Sequence, residues 1–407
     1  MSAITRAALM AVTFLSAASA HAEVLTLEKA IGQSLSTSPQ GEATAATIEG
    51  LGAARDAAAT GPAPTIEGTV ENVGTGGFDQ FQIDATYHQQ LERGSKRRAR
   101  VRLAEGDIGI AQAEALIRRL DLAQDVQELY VETQAAALEL ELTRSRVEIA
   151  RTLLKEVQRR VDEARDPLFA GTRARTELAE AEVDLELAEH ALVAAKARLA
   201  LLTGTNLSDA TVVTDGFLEM PEIAPQDSDL SSIDLAVYEA RRERADAYYR
   251  LQEANRSSDP TVFAGPRLAG NGDVSVVAGV SLPLANRDLN RANLARAVAG
   301  QRQVEADLAV ERHLRRRELA LAAERVEEAR HEAVAIRDKV VPGAERTLKE
   351  VRAGYNRGGF TFLDVSTAQT DLHAARARFL DALIEYHTAR IELDRLTGRF
   401  ADLVGGN

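Results

Sequence analysis

The 407-residue chain predicts a mainly α-helical protein that also lends β-strands to a membrane barrel. Three observations point there. The composition is dense in Ala, Leu, Glu and Arg, with 4% aromatic residues and no tryptophan, which favours long helices and coiled coils over a conventional globular enzyme. The chain also repeats itself. Leu202-Thr203-Gly204 ends one helical run and Leu396-Thr397-Gly398 ends another 194 residues later, while QQLERGSKRRA, ending at Ala99, is echoed by SLPLANRDLNRA, ending at Ala292, 193 residues later. Finally, each half holds two short segments in which apolar and polar residues alternate around Gly/Asn turns, the signature of a hairpin.

From the N-terminus, residues 1–22 (MSAITRAALMAVTFLSAASAHA) read as a secretory signal peptide. Arg6 is followed by an apolar run and an A-x-A site at Ala20-His21-Ala22. Its removal makes the chain one unit more negative than the −13 of the whole sequence, which disfavours nucleic acid as a partner. With no cysteine there is no disulfide, thiolate metal site or lipid-accepting thiol. Beyond Ala22 no apolar stretch approaches the roughly 20 residues of a transmembrane helix.

The first structural repeat spans 23–204. Short helices near Leu27–Ser36 and Pro39–Ala58 lead to a β-hairpin at about 64–90, formed by TIEGTVENV and FQIDATYHQ around GTGGFDQ. Ile66, Gly68 and Val70 share one face of the first strand; Phe81, Ile83, Ala85 and Tyr87 share one face of the second. A long helix from about Ser95 to Ala164 follows, with apolar positions at three- and four-residue spacing. It breaks at EARDPLFAGTR and returns from Ala174 to Leu202. A polar, proline-bearing linker, 205–228, joins the second repeat, 229–398. There a helix near Ser232–Asn255 precedes a hairpin at about 260–284 that turns at Gly270-Asn271-Gly272. A helix from Asn290 to Val351, the interruption GYNRGGFTFLDV and a helix from Phe362 to Leu396 complete it; 399–407 is a tail.

A helix of roughly 65–70 residues spans on the order of 100 Å and is not stable alone, so its small-residue stripes imply close packing on neighbouring helices. Four strands are too few to close a barrel, yet an open sheet edge is not tolerated in lipid. Several chains contributing four strands each to one barrel resolve this, with the helices continuing the cylinder into the periplasm. The other arrangement is a pair of soluble hairpins capping a periplasmic coiled-coil scaffold or adaptor.

LTLEKAIGQSLSTSP near the N-terminus and GYNRGGFTFLDVSTAQTDLHAARARFLDALIEYHTARIELDRLTG near the C-terminus resemble the TolC family of outer-membrane efflux proteins over essentially the whole mature chain. PAPTIEGTVENVGTGG, LERGSKR and DPLFAGTRARTELAEAEVDL are most similar to its cobalt–zinc–cadmium resistance branch. The resemblance implies a homotrimer with a 12-strand barrel in outer-membrane lipid and an α-helical periplasmic tunnel. It also implies docking to a periplasmic adaptor (membrane fusion) protein and an inner-membrane pump of the resistance-nodulation-division type, driven by protons. The implied cargo is heavy-metal cations, with drugs or other organic compounds as the alternative.

Within GYNRGGFTFLDV, Gly354, Gly358 and Gly359 permit positive φ and close backbone approach. The resemblance makes this turn, with Leu363, and its counterpart Asp166, Pro167, Leu168 and Gly171 an adaptor-docking surface. It makes Tyr355 and Asp364 gate residues. Two family positions depart here: Thr367 stands where a second aspartate is usual, and Phe360 where an arginine is common. The partner of Tyr355 is Asp166 or Arg173. Asp364 either forms a cation-selective ring in a trimer or caps its own helix. Arg93, Lys96, Arg97, Arg98 and Arg291 form a basic collar where strand gives way to helix, placed for anionic lipid headgroups or simply solvated. The histidines are scattered, and no nucleophile, phosphate-loop or metal motif is present, so neither an enzyme nor a cofactor is expected.

Overall fold

The computed structural model describes residues 24–74, 77, 80–205, 211–223 and 230–405. The expected signal peptide lies outside the described residues, as do parts of the first hairpin turn and of the linker. A short strand β1 (Val24–Leu25) leads into α1 (Leu27–Thr37), capped by the Thr26 side chain, and α2 (Pro39–Ala59), capped by Ser38 with Pro39 in its first turn. β2 (Thr65–Glu71) and β3 (Gln82–Gln90) form the first hairpin. The 67-residue α3 (Lys96–Asp162) follows, and α4 (Leu168–Thr203) runs back beside it. The expected break is narrower than EARDPLFAGTR, because Pro167 supplies the extended residue that opens α4 and Gly171 already lies inside that helix.

β4 (Thr211–Val212) pairs in parallel with β1, folding the linker back onto the N-terminus. After α5 (Ser232–Ala254), β5 (Thr261–Ala269) and β6 (Val274–Ser281) make the second hairpin. The helix expected from Asn290 to Val351 is interrupted: α6 (Arg287–Ala335) passes through one π-helical turn, Ile336–Val340, into α7 (Val341–Asn356). Pro342 explains the turn, since it lacks an N–H and its ring crowds the carbonyl of Asp338. α8 (Phe362–Thr397) returns, and the expected tail forms α9 (Ala401–Gly405), burying Phe400 and Val404.

The helical hairpins pack as antiparallel coiled coils. Buried residues recur every seventh position: Val126, Thr133, Leu140 and Val147 on α3 against Ala174, Ala181, Ala188 and Ala195 on α4. The same spacing holds for Leu319, Val326 and Ala333 on α6, and for Val365, Leu372, the half-buried Phe379, Tyr386 and Leu393 on α8. Alanine on one face lets the helix axes approach closely. A second core joins Leu25, Ile31, Leu199, Phe400 and Val404 to Tyr130, whose hydroxyl donates to the Leu25 carbonyl at 2.9 Å. Burial pushes that phenol up to about 12.

The four long strands form one antiparallel sheet in the order β2-β3-β5-β6, with β2 and β6 at its edges. Its polarity is the reverse of a soluble sheet. Ile66, Val70, Ile83, Tyr87, Val262, Leu268, Val274, Val276 and Val280 share one face, and all are exposed. The opposite face carries Asp84 and Thr86, both buried, with Arg267 on Asp84 at 3.2 Å and His88 stacked on Phe263. At the centre a side chain on Gly265 would sit 1.9 Å from the Ala85 carbonyl, so only glycine lets β5 lie against β3 there. Among the described residues no helix is long and apolar enough to cross a membrane.

Candidate functional site at the hairpin tips

The ends of α3 and α7 close by the same backbone device. In the first tip Arg165 N–H returns to the Arg160 carbonyl at 2.8 Å and Ala164 takes the left-handed conformation, φ 56°. In the second, Gly359 N–H returns to the Gly354 carbonyl at 2.9 Å and Gly358 takes that conformation, φ 83°. Ala164 and Gly358 stand 194 residues apart, the period of the repeat. Of the three glycines expected to use positive φ, only Gly358 does. Gly354 is needed for another reason, because a side chain there would meet the Phe360 ring at 2.1 Å.

The same period places Arg160 opposite Gly354 and Asp166 opposite Phe360. The first tip therefore holds an ion pair where the second packs an aromatic ring on a glycine. Arg160 forks onto Asp166 at 2.9 and 3.1 Å, with both side chains nearly buried. Tyr355, fully buried, ties the two tips together. Its hydroxyl donates to Asp166, its carbonyl accepts from Arg160 Nη1 at 2.9 Å, and the guanidinium lies 4.2 Å over its ring. Burial pushes the Asp166 carboxyl up, but the bonds from Arg160 and Tyr355 outweigh it and hold the group below the usual range. Burial and the neighbouring carboxylate push the Tyr355 phenol up. Arg352 and Glu156 add a second cross-tip pair at 2.5 Å.

Asp166 is thus the partner of Tyr355. Arg173 pairs instead with Glu177 at 3.2 Å. Arg160 was missed by sequence reasoning: it sits in a charged helix end beside Arg159, and only alignment of the two repeats marks it. Asp364 does not join this network. Its carboxylate accepts from the Thr361 N–H and hydroxyl, both at 2.7 Å, in a capping box at the start of α8, and these bonds lower its pKa. Leu168, Phe169, Phe360 and Leu363 are exposed around the tips. Beyond them a cavity of about 310 Å³ opens between α3, α4 and α8, where Gln369 Nε2 and His373 Nδ1 find no hydrogen-bond partner among the described residues.

The basic collar is less uniform than its sequence. Lys96 pairs with Asp259 at 2.7 Å, Arg97 with Glu92 at 3.1 Å, and Arg291 with Asp288 at 3.6 Å. Arg98 donates to Ser95 at 2.6 Å, and the Arg93 side chain is exposed. Carboxylates at the strand ends have absorbed charges that read as free in the sequence.

The model of the outer membrane efflux protein family matches residues 30–205 and 224–399. The chain belongs to that family. This outer membrane efflux protein is 29% identical over 317 residues to the cobalt-zinc-cadmium resistance protein CzcC of Cupriavidus metallidurans, covering 76% of this chain and 75% of that one. Crystal structures of CusC, which concern transmembrane channel formation, superpose with a TM-score of 0.72 at 17% identity, covering 91% of each chain. The outer membrane protein VceC of Vibrio cholerae superposes with a TM-score of 0.69 at 18% identity, covering 91% of this chain and 96% of that one. The efflux protein is an outer-membrane channel with a helical tunnel and a barrel sheet, and its family is one of transport rather than an enzyme family.

Proposed function

We propose that this efflux protein is the passive exit duct of a tripartite system, a homotrimer that closes a 12-strand barrel and extends a helical tunnel into the periplasm. One observation carries the reading: a sheet with its apolar face outward and its charges inward, open at both edges. β2 and β6 run in opposite directions, so β6 of one copy can pair antiparallel with β2 of the next. The exposed Val183, Leu187 and Leu201 on α4 suit burial against a neighbouring copy.

The duct carries heavy-metal cations, a reading supported by the similarity to a cobalt-zinc-cadmium resistance protein. Among the described residues no three His, Cys, Asp or Glu side chains converge as a metal site, and a duct need not bind its cargo. The exposed apolar tips with Gly354, Gly358, Gly359, Leu363, Asp166, Pro167, Leu168 and Gly171 dock a periplasmic adaptor, and through it an inner-membrane pump. Tyr355 gates the tunnel through Asp166 and Arg160, and Asp364 lines its mouth while capping α8. Deleting the gene tests the cargo: sensitivity to cobalt, zinc or cadmium with unchanged drug tolerance supports metals. The reverse pattern would transfer the duct to organic compounds.

A further inference from the structure

Directly below the strands, α3 and α5 enclose a half-open groove of about 390 Å³ lined by Ser95, Arg98, Arg102, Arg250, Glu253 and Ser257. Three guanidiniums from two helices face one carboxylate. The neighbouring cations are paired, Lys96 with Asp259, and Arg97 and Arg100 sharing the one carboxylate of Glu92. Arg102 and Arg250, by contrast, form no ion pair among the described residues, and both are exposed. Arg102 and Arg250 also line the continuation of the groove along the same helices, beside Glu105, Glu243 and Asp246, but neither arginine comes within ion-pair distance of these carboxylates. Two unpaired arginines that line one groove with a third offer guanidinium donors to an anion. The planar forks of arginine and the flanking hydroxyls suit a tetrahedral oxyanion.

Position narrows the source. Ser95 follows the last residue of β3 by five positions and Ser257 precedes the first of β5 by four, so the groove begins where the outward apolar face ends. We infer that the groove binds a phosphate group, supplied by an anionic phospholipid of the leaflet that faces the periplasm. The inference rests on the barrel reading above and deepens it: of the basic collar, Arg98 is recruited together with Arg102 and Arg250 from outside it.

The test uses the full-length mature protein in nanodiscs of phosphatidylcholine doped with phosphatidylglycerol, with retained lipid read by native mass spectrometry. Wild type retains phosphatidylglycerol, and Arg102→Gln with Arg250→Gln weakens retention about tenfold or more. Arg317→Gln, which changes an exposed charge on α6 outside both the collar and the groove, leaves it intact. Matching unfolding temperatures in phosphatidylcholine alone establish that the variants are folded, and Arg250→Gln alone serves if the double variant is not. A parallel titration with inorganic phosphate in detergent reads the site without any bilayer and so stands apart from the barrel reading. Saturable phosphate binding without phosphatidylglycerol retention would overturn the lipid source. Equal retention by wild type and the groove variants, or equal loss in Arg317→Gln, would overturn the groove.

Discussion

At the residue scale the tip network is a buried ion pair held shut by a phenol. Removing one member of such a pair strands the other and costs about 3–5 kcal/mol, whereas losing a hydrogen bond to a charged group costs about 1.5–3. Tyr355→Phe is therefore expected to raise single-channel conductance in planar bilayers, and Asp166→Asn to raise it further; unchanged conductance in both would remove the pair from the gate. Asp364→Ala separates pore from cap: altered cation selectivity marks a charged ring, and unaltered selectivity leaves only the cap. Asp166 is depressed below the ordinary carboxylate range. Its contribution to the closed tip is complete above the unfolded value of about 3.9 and is lost as pH falls through the lower folded value. A conductance titration should thus show acid opening only below about pH 4; opening at neutral pH would contradict the network. Asp364 shifts the same way, so the titration belongs in the Asp364→Ala background. The two turns offer a stability test. Ala164 occupies with φ 56° the slot that Gly358 fills in the other tip. Ala164→Gly should stabilise the protein by about 0.5–1 kcal/mol and Gly358→Ala should destabilise it by about 1–2. Chemical denaturation with matched slopes reads both.

At the element scale, backbone approach decides what pairs. Gly265→Ala would drive a methyl into the Ala85 carbonyl, separating β3 from β5 and detaching one hairpin from the other. The expected outcome is loss of assembled protein from the outer-membrane fraction, while Gly272→Ala, at an open turn, affects assembly far less; equal assembly of both would show that the strands separate without cost. Most elements were legible in the sequence because each carries a period of its own. Alternation in TIEGTVENV and FQIDATYHQ marked the strands to within two residues, and the offset of 193–194 residues marked the second copy. Three features were not. The π-turn before Pro342 arises because the packed α6–α7 rod absorbs a proline that local rules treat as a helix end. α9 read as a tail because five residues carry no period, although Phe400 and Val404 find a core supplied by α1 and α3. The collar read as free charge because Asp259 meets Lys96 only across 163 residues of chain, and because Glu92 reaches Arg97 and Arg100 around the strand-to-helix corner, where no single period links them. In the site, Tyr355 and Asp166 were visible as turn residues, whereas Arg160 became visible only once the two tips could be laid over each other.

At the scale of the whole molecule the open edges set the assembly. An apolar outward face commits the sheet to lipid, and lipid leaves no water to satisfy the free N–H and C=O groups of β2 and β6. Another copy of the chain offers an edge of the right direction on both sides. In the proposed trimer, three copies place twelve strands in one antiparallel cylinder, and the even number of strands per chain restores the starting direction at every junction. The absence of cysteine makes this directly measurable. Thr69→Cys on β2 combined with Ser275→Cys or Val277→Cys on β6 places thiols on the inward faces of opposite edges, with β3 and β5 between them. Within one chain those thiols sit three strands apart, roughly 14 Å, which is beyond the reach of a disulfide. Between copies they come within one strand spacing if β6 of one copy pairs with β2 of the next in a register that sets either pair of positions opposite each other. Oxidation in outer membranes should therefore yield covalent dimers and trimers from one of the two pairs, and none from either single-cysteine parent. Monomers throughout would exclude both of these registers between copies, and a ladder beyond three copies would show a wider barrel.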